Sequence, residues 1–140
     1  GQGLKRRTAR ECALKVLFMV EMGKNDPEVA LQYILEQGNL MGKEQLFCRK
    51  LIEGVLQNRE GLDLILLKGL VNWELERLSA TVRCILRLAL YELLYLPDIP
   101  YAVTINEAIE LTKLYHDPEA ARFVNGVLDK VGKESRLERG

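Results

Sequence analysis

Val82-Arg83-Cys84-Ile85-Leu86-Arg87-Leu88-Ala89-Leu90-Tyr91-Glu92-Leu93 decides the fold. Val82, Ile85, Leu86, Ala89, Leu90 and Leu93 recur at helical spacing, and Cys84, Leu88, Tyr91 and Tyr95 fill a second face. A helix that is apolar on two faces must be wrapped by others, so this segment is expected at the centre of the molecule. Ser79 stands where its hydroxyl caps the first turn. The polar remainder is narrow, with Arg83 and Arg87 one turn apart.

Outward from this centre the pattern stays helical, with no sustained period-two alternation and few β-branched residues. A first helix is expected from Thr8 to Met22, with Thr8 and Glu11 forming a capping box. Asp26-Pro27 starts a short second helix that ends near Gln37, and a third runs from Lys43 to Asn58. A fourth covers Gly61 to Leu70. After Pro97-Asp98-Ile99-Pro100 another runs to Tyr115, starting at Pro100 or at a second capping box of Thr104 and Glu107. Asp117-Pro118 repeats the cap-plus-proline device and opens the last helix, to Lys130. Gly126 inside it costs about 1 kcal/mol against alanine, which suggests a close helix–helix approach there. The fold class is therefore all-α, a single-domain bundle of about seven helices. Residues 1–7 form a flexible basic tail, 8–131 the domain, and 132–140 a charged tail that frays.

Composition narrows the function. Apolar residues make up 48% and charged residues 29% of 140 residues, the profile of a soluble globular domain with a sizeable core. No apolar run is long enough to span a bilayer. Cys12, Cys48 and Cys84 are odd in number and contain no CxxC pair, which points to a reducing cytoplasmic setting and away from disulfides or zinc. His116 alone is too little for a metal site or a histidine-based triad. Asn106-Glu107 has no nucleophile or metal set beside it, so nothing supports an enzyme, a catalytic residue, a cofactor or a metal.

The asymmetry lies in charge. Twenty basic and twenty acidic residues balance overall, yet the first fifteen residues set Lys5, Arg6, Arg7, Arg10 and Lys15 against Glu11 alone. Such a run is either a solvated tail or a grip on a polyanion, because each cation that neutralises a phosphate releases a counterion. Phe18, one turn beyond Leu14, is either core or a platform for a base. Phe123 lies off the stripe of Ala121, Val124 and Leu128.

Several segments resemble one family. They are Arg6-Arg7-Thr8-Ala9-Arg10-Glu11-Cys12-Ala13, Trp73 with Arg77-Leu78, and Ile85-Leu86-Arg87-Leu88-Ala89-Leu90-Tyr91-Glu92-Leu93. Downstream come Asp98-Ile99-Pro100-Tyr101-Ala102-Val103-Thr104-Ile105-Asn106-Glu107-Ala108-Ile109-Glu110-Leu111 and Phe123-Val124-Asn125-Gly126-Val127-Leu128-Asp129. In this order, from Lys5 to Lys130, they resemble the NusB family of bacterial transcription antitermination factors. The resemblance implies an all-helical, non-enzymatic protein that binds single-stranded boxA RNA of nascent ribosomal RNA. Its partner would be NusE, a small-subunit ribosomal protein, within an RNA polymerase antitermination complex. Monomer and homodimer stay open for the free protein.

The resemblance implies RNA contact for Lys5, Arg6, Arg7, Arg10, Lys15, Phe18, Arg83, Glu119, Arg122 and Phe123. Arg87, amid apolar neighbours, is expected to pair internally with Glu92, Glu107 or Glu110. Val82 stands where relatives often carry an acid, and Phe18 where tyrosine is usual. The alternative function is a helical protein-binding adaptor of the same fold without RNA affinity.

Overall fold

The computed structural model describes residues 2–23, 25–38, 40–70 and 74–139, with side chains for residues 6–137. Seven α-helices and one 3-10 turn occur among the described residues, and no strand. They are α1 (Gln2–Gly23), α2 (Pro27–Gln37), α3 (Gly42–Gln57) and α4 (Arg59–Gly69), then the turn Leu75–Arg77, α5 (Ala80–Tyr95), α6 (Tyr101–Tyr115) and α7 (Pro118–Arg139). No helix among the described residues is long and apolar enough to cross a membrane.

Local chemistry sets the helix starts where the sequence carries a cap. Asp26 Oδ2 accepts the backbone N–H of Glu28 at 3.1 Å and of Val29 at 3.2 Å, with Pro27 as the first helical residue. Ser79 Oγ accepts the N–H of Val82 at 3.2 Å, and Asp117 Oδ1 accepts that of Ala120 at 2.6 Å.

α5 is the axis of the bundle. Val82 and every residue from Cys84 to Leu94 is buried, and the helix touches α1, α3, α4, α6 and α7. Each fully buried leucine there contributes about 1.5–3 kcal/mol. The neighbours approach at small residues. A β-carbon at Gly54 of α3 would run into the Tyr91 ring, and one at Gly132 of α7 into Leu93. Tyr91 cannot retreat, because its ring stacks on Tyr95 with centroids 5.0 Å apart.

Four expectations are corrected. α1 begins at Gln2, so residues of the supposed basic tail are helical and Thr8 is an interior residue rather than a cap. α7 runs to Arg139 instead of fraying after Val131. Its end is held because Arg136 donates from Nε to the Leu93 carbonyl at 2.7 Å, at the end of α5, and from Nη1 to that of Ile99 at 3.0 Å, in the connection to α6. α4 starts at Arg59, two residues early. α6 starts at Tyr101 with Pro100 as its N-cap, the first of the two expected starts, and Thr104 and Glu107 form no capping box because they are buried and turned towards α5 and α1. Gly126 is exposed and a β-carbon there meets nothing, so it is not a point of close approach. Trp73, quoted above, lies outside the described residues.

These glycines should separate in stability measurements. Gly54→Ala forces a buried ring to move and should cost about 1–3 kcal/mol. Gly126→Ala, on an exposed helix, should gain roughly 0.5–1 kcal/mol. Denaturant midpoints of the two variants check both signs.

Candidate nucleic-acid interface

The cations of the first helix do not form one patch. At 3.6 residues per turn, Arg6 and Lys15 point to opposite sides of α1, about 180° apart. The Arg6 guanidinium is exposed and lies 4.9 Å from the centroid of the Phe47 ring on α3. The Lys15 ammonium is exposed on the other side, 5.9 Å from the Tyr115 ring of α6. The side chain of Lys5 lies outside the described residues.

Arg10 requires a correction. It is buried, 3% exposed, and its Nε and Nη2 each donate to a Glu92 carboxylate oxygen at 2.8 Å. Glu92 Oε1 also accepts from the Thr104 hydroxyl at 3.2 Å. Glu107 sits 3.6 Å from Arg10 and is the main partner of Arg7, which donates to it at 3.1 and 2.6 Å. The hydrogen bonds and charge of Glu107 raise the Arg7 pKa. Arg10 therefore serves the interior and is withdrawn from any phosphate, because a buried guanidinium is tolerable only when fully paired. Arg7 remains 42% exposed at the side chain but is already balanced by Glu107.

Arg83 is corrected for the same reason. Its Nε donates to Glu21 Oε1 at 3.1 Å, and its Nη1 donates to the carbonyls of Glu76 at 3.2 Å and of Leu78. Only 15% of its side chain is exposed, so it braces the turn before α5 rather than facing a ligand. Arg87 is paired internally, though with different acids from those expected. Asp63 of α4 accepts two bonds, at 2.8 and 3.1 Å, and Glu21 a third at 3.2 Å. Glu21 Oε2 also accepts from the Cys84 thiol at 3.3 Å. Burial pulls the Glu21 pKa up, but the Cys84 bond and the two arginines outweigh it and hold the carboxyl below its ordinary 4.5. Burial pushes the Cys84 thiol up to about 12. All three cysteines are free and buried. Among the described residues no group of three or more metal-ligating side chains is placed to hold an ion.

Four of the remaining sequence-selected residues, Lys15, Phe18, Glu119 and Phe123, gather around the first turn of α5. On one side lies a cleft of about 300 Å³ lined by Leu14, Lys15, Phe18, Met19, Ile34, Thr81 and Tyr115. Phe18 stands outside the core cluster at 38% exposure. On the other side lies a groove of about 310 Å³, whose lining includes Arg77, Ser79, Val82, His116, Glu119 and Phe123. Thr81 and Tyr115 line the first, and the next residues in the chain, Val82 and His116, line the second. The two therefore adjoin. The structure brings together Lys15, Phe18, Glu119 and Phe123, and leaves Arg6 on another side of α1. Arg122 is exposed on α7 but lines neither recess. Phe123 is half-buried against the core, so only part of its ring faces the groove.

Residues 7–133 match the model of the NusB family. The chain belongs to the NusB family. It is 46% identical over 129 residues to the transcription antitermination protein NusB of Bacillus licheniformis, covering 91% of this chain and 96% of that protein. To the namesake from Heliobacterium modesticaldum it is 42% identical over 137 residues, 98% of this chain, and it spans 66% of that protein's length. Among solved structures, T. maritima NusB superposes with a TM-score of 0.86 at 38% identity, covering 95% of this chain and 96% of that one. A chain from a crystal structure of the antitermination factors NusB and NusE in complex with dsRNA gives 0.85 at 29% identity, covering 93% and 97%.

Within this NusB-family chain, sequence reasoning missed Thr81 and Tyr115. Tyr115 ends α6 beside the His116-Asp117-Pro118 break, and an aromatic residue at the end of an element next to a turn was the available signal. Its hydroxyl donates to Glu11 at 2.6 Å, so the phenol oxygen is engaged within the fold while the residue lines the cleft.

Two outcomes follow from the ion pairs. Arg10→Ala strands a buried carboxylate and should cost about 3–5 kcal/mol, whereas Arg6→Ala should change the denaturant midpoint little. The lowered Glu21 pKa contributes stability that is complete above pH 4.5 and lost as pH falls towards its folded value. Glu21→Gln should be less stable at neutral pH and show a shallower decline than the parent in acid melts below pH 4.5.

Proposed function

We propose that this chain is a transcription antitermination subunit that works in the cytoplasm. It binds boxA-type single-stranded RNA of nascent ribosomal RNA together with NusE and carries both into an RNA polymerase antitermination complex. The observation that carries this reading is the meeting of Lys15, Phe18, Glu119 and Phe123 at two adjoining recesses around the start of α5. Two exposed or half-exposed aromatic rings with a cation beside one of them suit a single strand, whose phosphates need charge and whose bases offer faces for stacking. A structural neighbour is a NusB chain in complex with NusE and dsRNA, which supports NusE and RNA as the classes of partner.

One observation favours the alternative, a protein adaptor without RNA affinity. Arg7 and Arg10 are both balanced by carboxylates, so the N-terminal charge available to a phosphate is smaller than the residue count suggests. The two readings separate by salt dependence. If Lys5, Arg6, Lys15 and Arg122 neutralise phosphates on a single strand, log affinity should fall with log salt at a slope of about −3. Anisotropy titrations of boxA and scrambled RNA, with and without NusE, measure it. NusE should raise affinity for boxA above that for the scrambled strand. Removing Arg6, Lys15 and Arg122 together should flatten the slope to about −1. An unchanged slope, or no effect of NusE on either RNA, refutes the RNA-binding reading and leaves the adaptor.

A further inference from the structure

We propose that the cleft between α1 and α6 receives one unstacked nucleobase of the bound strand, held against the rings of Phe18 and Tyr115. The inference rests on the RNA-binding reading above and deepens it by naming the subsite and a residue outside the sequence-selected set. Four features of the cleft agree on this occupant.

Its volume, about 300 Å³, is at the small end of sites for small molecules and suits a planar ring system. Its walls are apolar, from Leu14, Met19 and Ile34, with Ile34 and Leu14 buried and Met19 packed against the core. Two aromatic rings come from different helices, Phe18 exposed at the surface and Tyr115 fixed by its bond to Glu11. Burial and that bond raise the Tyr115 pKa, so the phenol stays protonated and uncharged throughout the working range. The charge at the site is then that of Lys15, placed to meet the phosphate adjoining an inserted base.

The polar content of the cleft decides its specificity. Thr81 supplies a hydroxyl that can donate or accept, and Lys15 only donates. Such a site holds any base by its faces and distinguishes weakly among their edges. The cleft is thus a position-fixing subsite, which sets the register of the strand relative to the adjoining groove at Phe123.

The test is a scan of boxA-type RNA in which each base in turn is replaced by an abasic nucleotide, titrated against the full chain with NusE. For the parent protein, one position should lose about 5- to 150-fold in affinity through the missing stack. In Phe18→Leu and in Tyr115→Leu that same position should lose several-fold less than in the parent, since each variant removes one of the two rings. Tyr115→Phe, which keeps the ring, should restore the full loss. Phe18 is exposed and outside the core, so Phe18→Leu keeps the test decisive if Tyr115→Leu unfolds. An abasic profile that neither leucine variant changes overturns the inference while the RNA-binding reading stands. Weaker NusE binding by both leucine variants without RNA, with the same unchanged profile, assigns the cleft to the protein partner and overturns it too. If no RNA binds the parent even with NusE, the reading and the inference fall together.

Discussion

The bidentate pair of Arg10 and Glu92 governs the arrangement of this molecule. Both side chains are almost fully buried, 3% and 2% exposed, and neither could remain charged there without the other. Glu92 projects from the central helix α5, while Thr104 and Glu107 approach from α6. α1 can dock only in the rotation that places Arg10 between them. On a helix, a residue five positions on lies about 140° away. Pinning Arg10 inward therefore turns Lys15 outward, beside Tyr115, and Phe18 follows it to the rim of the cleft.

A second, half-buried hub works at the other end of α1. Glu21 accepts from Arg83 and Arg87 of α5 and lies 3.6 Å from Arg59 of α4. Asp63 completes the pairing of Arg87. Opposite charges thereby fix α1 to α5 at two places along its length, with α6 joining at the first and α4 at the second, and a slide or rotation of that helix would break both sets. Apolar packing alone resists such motion weakly, since leucines and valines accept neighbouring registers more readily than a two-point hydrogen bond does. The first turn of α5, where the two recesses meet, is braced by Arg83 and capped by Ser79. Its rigidity belongs to the scaffold and is available to whatever binds there.

The same pairing changes the electrostatics of the surface. Carboxylates from distant parts of the chain, Glu92 and Glu107, return to balance cations of the first helix. What remains is distributed, with Arg6 against Phe47 on one side and Lys15 against Tyr115 on the other. A strand that contacts both must wrap α1 or cross its end. Binding then draws more on aromatic faces and on partners than on a dense basic patch.

The sequence by itself determined the helices, their number and the central place of α5. Each of those rests on short-range rules: caps at Asp26, Ser79 and Asp117, proline at first helical positions, and apolar spacing along one segment. It also carried the family, through motifs in order along the chain. It misplaced both ends, because helical continuation of α1 and α7 depends on what their outer turns meet, as with Arg136 on the carbonyls of α5. It counted Arg10 and Arg83 as surface cations, because their partners stand 82 and 62 positions away and no local pattern joins them. Nor could it see that Phe18 and Tyr115 share one cleft. Charge and ring are properties of a residue and are written in the sequence. Whether a charge is spent inside or two rings face one space is a property of pairs, and only the packing of α1 against α5 and α6 decides it.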